Sequence, residues 1–147
     1  MALNFSNKEF SIRKQKVLKI LKEENLDALL MFKQESMYWL TGYDTFGYVF
    51  FQTLVIDKLG NTVLLTRAPD LRQAQNTSNI KDIRIWIDKD GSNPTNDLRV
   101  ILDELNLKNT NIGIEYEAYG LTGKNTMLIN NAFKNYCNLT SFNHLMF

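Results

Sequence analysis

The sequence predicts an α/β fold: one mixed β-sheet of about six strands, joined by one hairpin and covered by helices on both faces. Three observations lead there. Stretches with helical periodicity alternate with short apolar runs, in the order helix, strand, helix, hairpin, helix, strand, helix, strand, helix, strand. The runs Tyr48–Ile56 and Thr62–Thr66 flank the polar loop Asp57-Lys58-Leu59-Gly60-Asn61, a hairpin pattern that makes the sheet mixed. A chain of 147 residues, 44% hydrophobic and 22% charged, suits one domain with a sizeable core. No internal repeat, low-complexity tract or linker divides it, so residues 1–147 read as a single domain.

Each element has its own signal. Ser6 followed by Glu9 has the form of a capping box, and Phe10, Val17, Ile20 and Leu21 then share one helical stripe. The first helix is expected from about Asn7 to Glu24. Arg13 falls on the stripe's side, its stem expected on the core and its charge in water. Leu26–Phe32 has the length of a strand buried on both faces. Gln34 to Leu40 reads as a short helix ended by Thr41-Gly42, the glycine supplying a left-handed cap.

After the hairpin, Pro69 fits a first helical turn and Asp70 complements its dipole, giving a third helix from Ala68 to about Asn76. Ile83, Ile85 and Ile87 alternate with Arg84 and Trp86 in a strand, and Asp88–Ser92 is loop. Asn93 as cap and Pro94 as first residue open a fourth helix, with Leu98, Ile101, Leu102 and Leu105 at helical spacing. Asn111–Glu115 is a short strand. Thr122 is expected to cap a fifth helix through about Asn135 that buries Leu128, Ala132 and Tyr136. Asn138–Phe142 is a last, edge strand.

Composition narrows the partners. A net charge of +1 offers no broad basic field to a phosphate backbone, so no nucleic acid is expected. Cys137, the single cysteine, fits a reducing compartment and reads as a small half-buried side chain. Met1–Lys16 has no apolar core of signal-peptide type, and no run approaches the roughly 20 apolar residues that span a bilayer. A cytoplasmic location without a membrane partner is the expectation.

One stretch is unusual. Met37–Gln52 holds seven aromatic residues in sixteen, with Thr41-Gly42-Tyr43-Asp44 forming a turn in their midst. Aromatics beside a glycine turn are usually core next to a loop, and the alternative is a loop presenting rings to a ligand or partner. The residue types alone do not choose.

Catalytic chemistry is hard to assemble. A metal site needs several His, Asp, Glu or Cys side chains at one ion, and His144 is the only histidine, near the chain's end and expected to be exposed. Asp27, Asp57, Asp88, Glu115 and Glu117 stand near strand ends. A magnesium nuclease of the ribonuclease H kind would need them clustered, yet Asp27 precedes its strand and Asp57 follows one. No G-x-G-x-x-G, Walker lysine, G-x-S-x-G or Cys/His pair is present. The chain alone reads as having no catalytic residue, no metal ligand and no cofactor.

Asp27-Ala28-Leu29-Leu30 after an amphipathic helix, Tyr38-Trp39-Leu40-Thr41-Gly42-Tyr43, a hairpin ending Leu64-Leu65-Thr66-Arg67, and Ile112-Gly113-Ile114-Glu115 occur in a telling order. From about Phe10 to Phe142 the chain resembles the N-terminal domain of the creatinase and prolidase (Xaa-Pro peptidase) family. The resemblance implies a three-layer, ribonuclease-H-like α/β fold. It also implies a catalytic domain of pita-bread shape that would follow residue 147 and hold two divalent metal ions on two aspartates, one histidine and two glutamates. None of those ligands can be placed here, and creatinase itself needs no metal. By the same resemblance the domain packs in a homodimer and its loops help close the partner subunit's active site. Tyr43, Asp44, Thr45, Phe46 and Tyr48 become the candidates that face substrate or partner, with the rings on a proline-like ring and Asp44 on a substrate amine. Dipeptides and small amino-acid derivatives both fit as substrates. A free-standing ligand-binding domain and a nuclease are the alternatives.

Overall fold

The computed structural model describes residues 3–143. Its helices are α1 (Asn7–Glu23), α2 (Gln34–Thr41), α3 (Leu71–Thr77), α4 (Pro94–Glu104) and α5 (Gly123–Phe133). Its strands are β1 (Ala28–Met31), β2 (Thr53–Asp57), β3 (Thr62–Arg67), β4 (Ile83–Trp86), β5 (Asn111–Ile114) and β6 (Asn138–Ser141). They form one six-stranded sheet in the order β4-β3-β2-β1-β5-β6. β1 runs antiparallel to β2 and parallel to β5, with Leu30 opposite Val55 on one side and Ile114 on the other. The mixed sheet with a single hairpin is therefore as the sequence predicts.

Alternation along the strands sends apolar side chains to both faces. Leu29, Met31, Leu54, Ile56 and Leu64 pack with Val17, Leu21, Met37 and Ala74 from α1, α2 and α3. Ala28, Leu30, Val55, Leu65 and Ile112 pack with Leu98, Ile101, Leu102, Ile129 and Phe133 from α4 and α5. The result is three layers, helix on sheet on helix.

Local signals set most helix ends. The Ser6 hydroxyl accepts from the Glu9 amide at 3.1 Å, and Asn93 and Thr122 cap α4 and α5. α1 and α4 stop in the same way. Asn25 and Asn106 take left-handed φ of 57° and 58°. The next amides, of Leu26 and Leu107, donate back to the carbonyls of Leu21 and Leu102 at 2.8 and 3.0 Å. Each is a Schellman closure, with asparagine at the left-handed position and leucine after it.

Four expectations need correction. β2 begins at Thr53, not Tyr48, because Gly47–Val49 form a one-turn 3-10 helix and Tyr48, Val49 and Phe50 face outward. β4 ends at Trp86, which is buried, while Ile87 lies beyond it and is exposed. α5 buries Ile129 and Phe133, one position on from Leu128 and Ala132, although Tyr136 is buried as expected. The charge of Arg13 is not in water. Its guanidinium donates to the Trp39 carbonyl at 2.8 Å and to Glu9 at 3.0 Å, and it lies 4.0 Å from the Phe5 ring centroid, clamping α1 to α2. His144 lies outside the described residues.

Glu115, just past β5, is buried and holds the start of α2. Its Oε1 accepts the amides of Phe32 and Lys33 at 3.1 Å each, and Oε2 accepts the Ser36 hydroxyl at 2.6 Å. Burial pushes its carboxyl above the ordinary value, against the pull of those donors. A carboxyl raised by folding stabilises the fold fully below its unfolded value of about 4.5, and that contribution is lost as pH rises through the folded value. Denaturant melts should therefore show wild type losing ground to Glu115→Gln as pH rises from about 4.5 towards neutrality. A difference independent of pH would mean that folding leaves the group's affinity for protons unchanged. Leu102 is fully buried beneath α4, so Leu102→Ala should cost about 2–5 kcal/mol in the same melts. A loss below about 1 kcal/mol would place that face outside the core.

Candidate functional site

The strand directions gather the carboxyl ends of β1, β3, β4, β5 and β6 at one end of the sheet, together with the start of β2. In α/β sheets this is where sites are built. The aromatic stretch lies there.

Gly42 ends α2 with φ 84°, a left-handed turn that a side chain would strain. The chain then drives Tyr43 inward, fully buried. The Tyr43 hydroxyl donates to Gln52 Oε1 at 2.7 Å, Gln52 Nε2 donates to Gln34 Oε1 at 3.2 Å, and Gln34 Nε2 donates to the Tyr43 carbonyl at 2.8 Å. This closed ring of hydrogen bonds fixes the start of the loop. Burial raises the Tyr43 phenol to about 12, with hydrogen bonds to Thr66 and Thr45 pulling the other way, so it stays neutral and donates throughout the physiological range.

A second anchor lies at the far side. Buried Thr45 donates from Oγ1 to Asp70 Oδ1 at 2.7 Å and accepts the Gly47 amide at 2.9 Å. Gly47 presses so closely on Asp70 that a Cβ there would meet its carboxylate oxygen at 2.5 Å. Arg67 reaches Asp70 and Asp88 at 3.4 Å each, and its guanidinium carbon lies 3.5 Å from the Phe50 ring centroid. Phe51 points into the core between Phe32 and Trp86, and the Trp86 indole donates to the Phe51 carbonyl at 2.9 Å.

What remains outside is mostly aromatic. Phe46 is 90% exposed, Tyr48 43%, Val49 47% and Phe50 43%, and Tyr119 from the loop after β5 adds a ring at 81%. Tyr48 and Tyr119 meet edge to face, with centroids 5.9 Å apart. Of the five candidates, then, Asp44, Phe46 and Tyr48 face solvent, while Tyr43 and Thr45 are anchors beneath them. Sequence reasoning missed Asp70, Arg67, Gln52, Gln34 and Tyr119. The Arg67-x-x-Asp70 spacing and a glutamine beside a strand were visible signals, but nothing local marks Tyr119.

The five strand-end carboxylates do not converge. Asp27 and Asp57 sit at the opposite end of the sheet, where Asp27 accepts from Lys58 and the Asn111 amide and Asp57 closes the hairpin by accepting from Leu59 and Asn61. Asp88, Glu115 and Glu117 lie at the aromatic end, with Glu115 spent on α2. Among the described residues no three His, Cys, Asp or Glu side chains could hold a metal ion. Cys137 is half-buried, and burial pushes its thiol up to about 11, which leaves it a poor nucleophile. Nor is any helix among those residues long and apolar enough to cross a membrane.

Helix, sheet and helix layers with an aromatic loop at the sheet's carboxyl end define a mixed α/β domain, with no metal-binding cluster among the described residues. The chain belongs to the creatinase/prolidase N-terminal domain family, whose pattern matches residues 13–146. Its fold is similar to that of a dipeptidase from Pyrococcus horikoshii (TM-score 0.70, 23% identity), covering 90% of this chain and 34% of that one. It is similar to an Xaa-Pro aminopeptidase structure from Streptococcus pyogenes (TM-score 0.69, 18% identity), covering 92% and 95% of the two chains. A third likeness is to the N-terminal domain of the cytoplasmic peptidase PepQ from Mycobacterium tuberculosis (TM-score 0.62, 16% identity), covering 91% and 95%. The chain thus spans about a third of the Pyrococcus enzyme's length. No curated protein sequence matches it.

The division between rings and anchors is measurable. Phe46→Ala should change the stability of the chain by less than about 1 kcal/mol, whereas Phe51→Ala should cost about 3–5 kcal/mol. Equal losses in denaturant melts would mean that Phe46 is core after all.

Proposed function

We propose that this chain serves as the non-catalytic N-terminal domain of a hydrolase of the Xaa-Pro peptidase and creatinase type. Its partner within one polypeptide would be a C-terminal catalytic domain, and the assembled protein a cytoplasmic homodimer acting on dipeptides or small amino-acid derivatives. The observation that carries the reading is the loop Tyr43–Phe50: its inward side chains are locked, and its rings face outward at the carboxyl end of the sheet. Such an arrangement suits closing a neighbouring subunit's active site rather than conducting chemistry of its own. Two divalent ions would belong to the catalytic domain. Among the described residues no group of side chains suits such a pair.

Folding cost and docking can be separated in a protein that carries this domain ahead of its catalytic half. There Phe46→Ala and Tyr48→Ala should lower kcat/KM on an Xaa-Pro dipeptide by about 10- to 100-fold, since misplaced closing contacts cost that much. The melting temperature should hardly move. Unchanged kcat/KM in both variants would remove the loop from any closing role.

A further inference from the structure

The end of the sheet away from the aromatic loop holds a cleft that the closing role does not use. Beside Tyr48 and Tyr119 the open space is about 40 Å³, whereas this cleft measures about 610 Å³. Small-ligand sites usually fall between about 300 and 1,000 Å³. Three segments wall it: α1 from Gln15 to Lys22, the turn Asn25–Asp27 into β1, and the hairpin tip at Lys58 and Leu59. The walls are fixed. Asp57 Oδ1 accepts the amides of Leu59 and Asn61 at 3.0 and 2.9 Å, and Oδ2 accepts the Asn61 side-chain amide at 2.9 Å. Gly60, at φ 88°, lets the tip close on α1, for a Cβ there would meet Lys14 Cε at 3.1 Å and Leu18 Cδ1 at 3.7 Å. Asp27 accepts from Lys58 and from the Asn111 amide, at 2.9 Å each. Filling such a cleft orders little that is not already ordered.

Its lining is apolar and basic together. Leu59 is 80% exposed at the tip of a turn, and Leu18 and Leu26 line the cleft with it. Lys19, Lys22 and Lys58 are exposed in the walls, against Asp27 as the one carboxylate of the lining, both of whose oxygens are engaged. Counting every charged side chain of residues 7–24 together with Asp27, Asp57 and Lys58, seven bases stand against five acids. Of those acids Asp57 is buried in its turn, Glu9 pairs with Arg13, and Glu24 lines a separate notch. Glu23 meets Lys19 only at 3.9 Å, both exposed, a pair of little strength. Lys22 makes no ion pair among the described residues. So small an excess suits a single acidic head and not a polyanion.

We propose that this cleft binds a small monocarboxylate with an apolar body, its head paired with the wall lysines and its body against Leu18, Leu26 and Leu59. The assignment is independent of the closing role, which uses the opposite end of the sheet. The test uses the 147-residue chain, labelled with nitrogen-15, and three probes: 1-naphthaleneacetate, 1-naphthylmethylammonium and acetate. Naphthaleneacetate should shift the amides of Leu18, Lys22, Leu26, Lys58 and Leu59, and should bind at least about tenfold more tightly than either other probe. Raising salt from about 50 to about 300 mM should weaken it several-fold. Lys22→Glu and Leu59→Ser should each weaken it about tenfold with the melting temperature unchanged, since both side chains are exposed. Equal binding of the acid and the ammonium, shifts centred elsewhere, or no shift at about 10 mM naphthaleneacetate, a Kd weaker than any site of this size should give, would overturn the proposal. So would tighter binding of a blocked peptide of alternating aspartate and leucine, which would give the cleft to a protein partner instead.

Discussion

The structure depends on one buried carboxylate. Glu115 leaves the end of β5 and accepts two amides and a hydroxyl at the start of α2. Lys33, in the capping position of α2, contributes no side-chain bond of its own. The chain entering a helix inside a protein needs acceptors for its free amides. Here a residue more than eighty positions away in sequence supplies them. With α2 so fixed, Gly42 can turn the chain at a defined place, and everything in the aromatic loop follows from that turn.

The loop itself resolves a conflict between burial and presentation. Tyr43, Thr45, Gly47 and Phe51 are buried, and Asp44, Phe46, Tyr48 and Phe50 are exposed. Each inward group meets a partner from another element: Tyr43 meets Gln52 and Thr66, Thr45 and Gly47 meet Asp70, and Phe51 meets Phe32 and Trp86. Buried polar groups satisfied in this way are costly to disrupt. The rings on the outside need not be ordered by a ligand, because their backbone is ordered from beneath. The loop thus holds its apolar tips outward on a backbone fixed from beneath.

Much of the scaffold is legible in the sequence. The capping box at Ser6, Asn93-Pro94, Thr122 and the glycine after α2 gave helix starts and stops within a residue or two, since each acts within one turn of chain. The order of elements and the hairpin gave a mixed sheet. The misses have physical causes. Tyr48–Phe50 has strand-like composition, yet these residues run past the sheet's end, Tyr48 and Val49 in a 3-10 turn and Phe50 just after it. The face of α5 slipped by one position because Ile129 and Phe133 share the helical spacing of Leu128 and Ala132. Arg13 seemed solvated because its partners, the Trp39 carbonyl and the Phe5 ring, belong to other segments.

The sequence by itself determined the elements, their order and the family, because caps, periodicity and ordered motifs are written in neighbouring residues. Only the tertiary structure decided which aromatic side chains became core and which became surface. Tyr43 and Tyr48 are the same residue type five positions apart, and no local rule tells them apart. Gln52 and Thr66 wait beneath the first, while Tyr119, itself exposed, meets the edge of the second. The site is a property of residues that the chain brings together only after the sheet has formed.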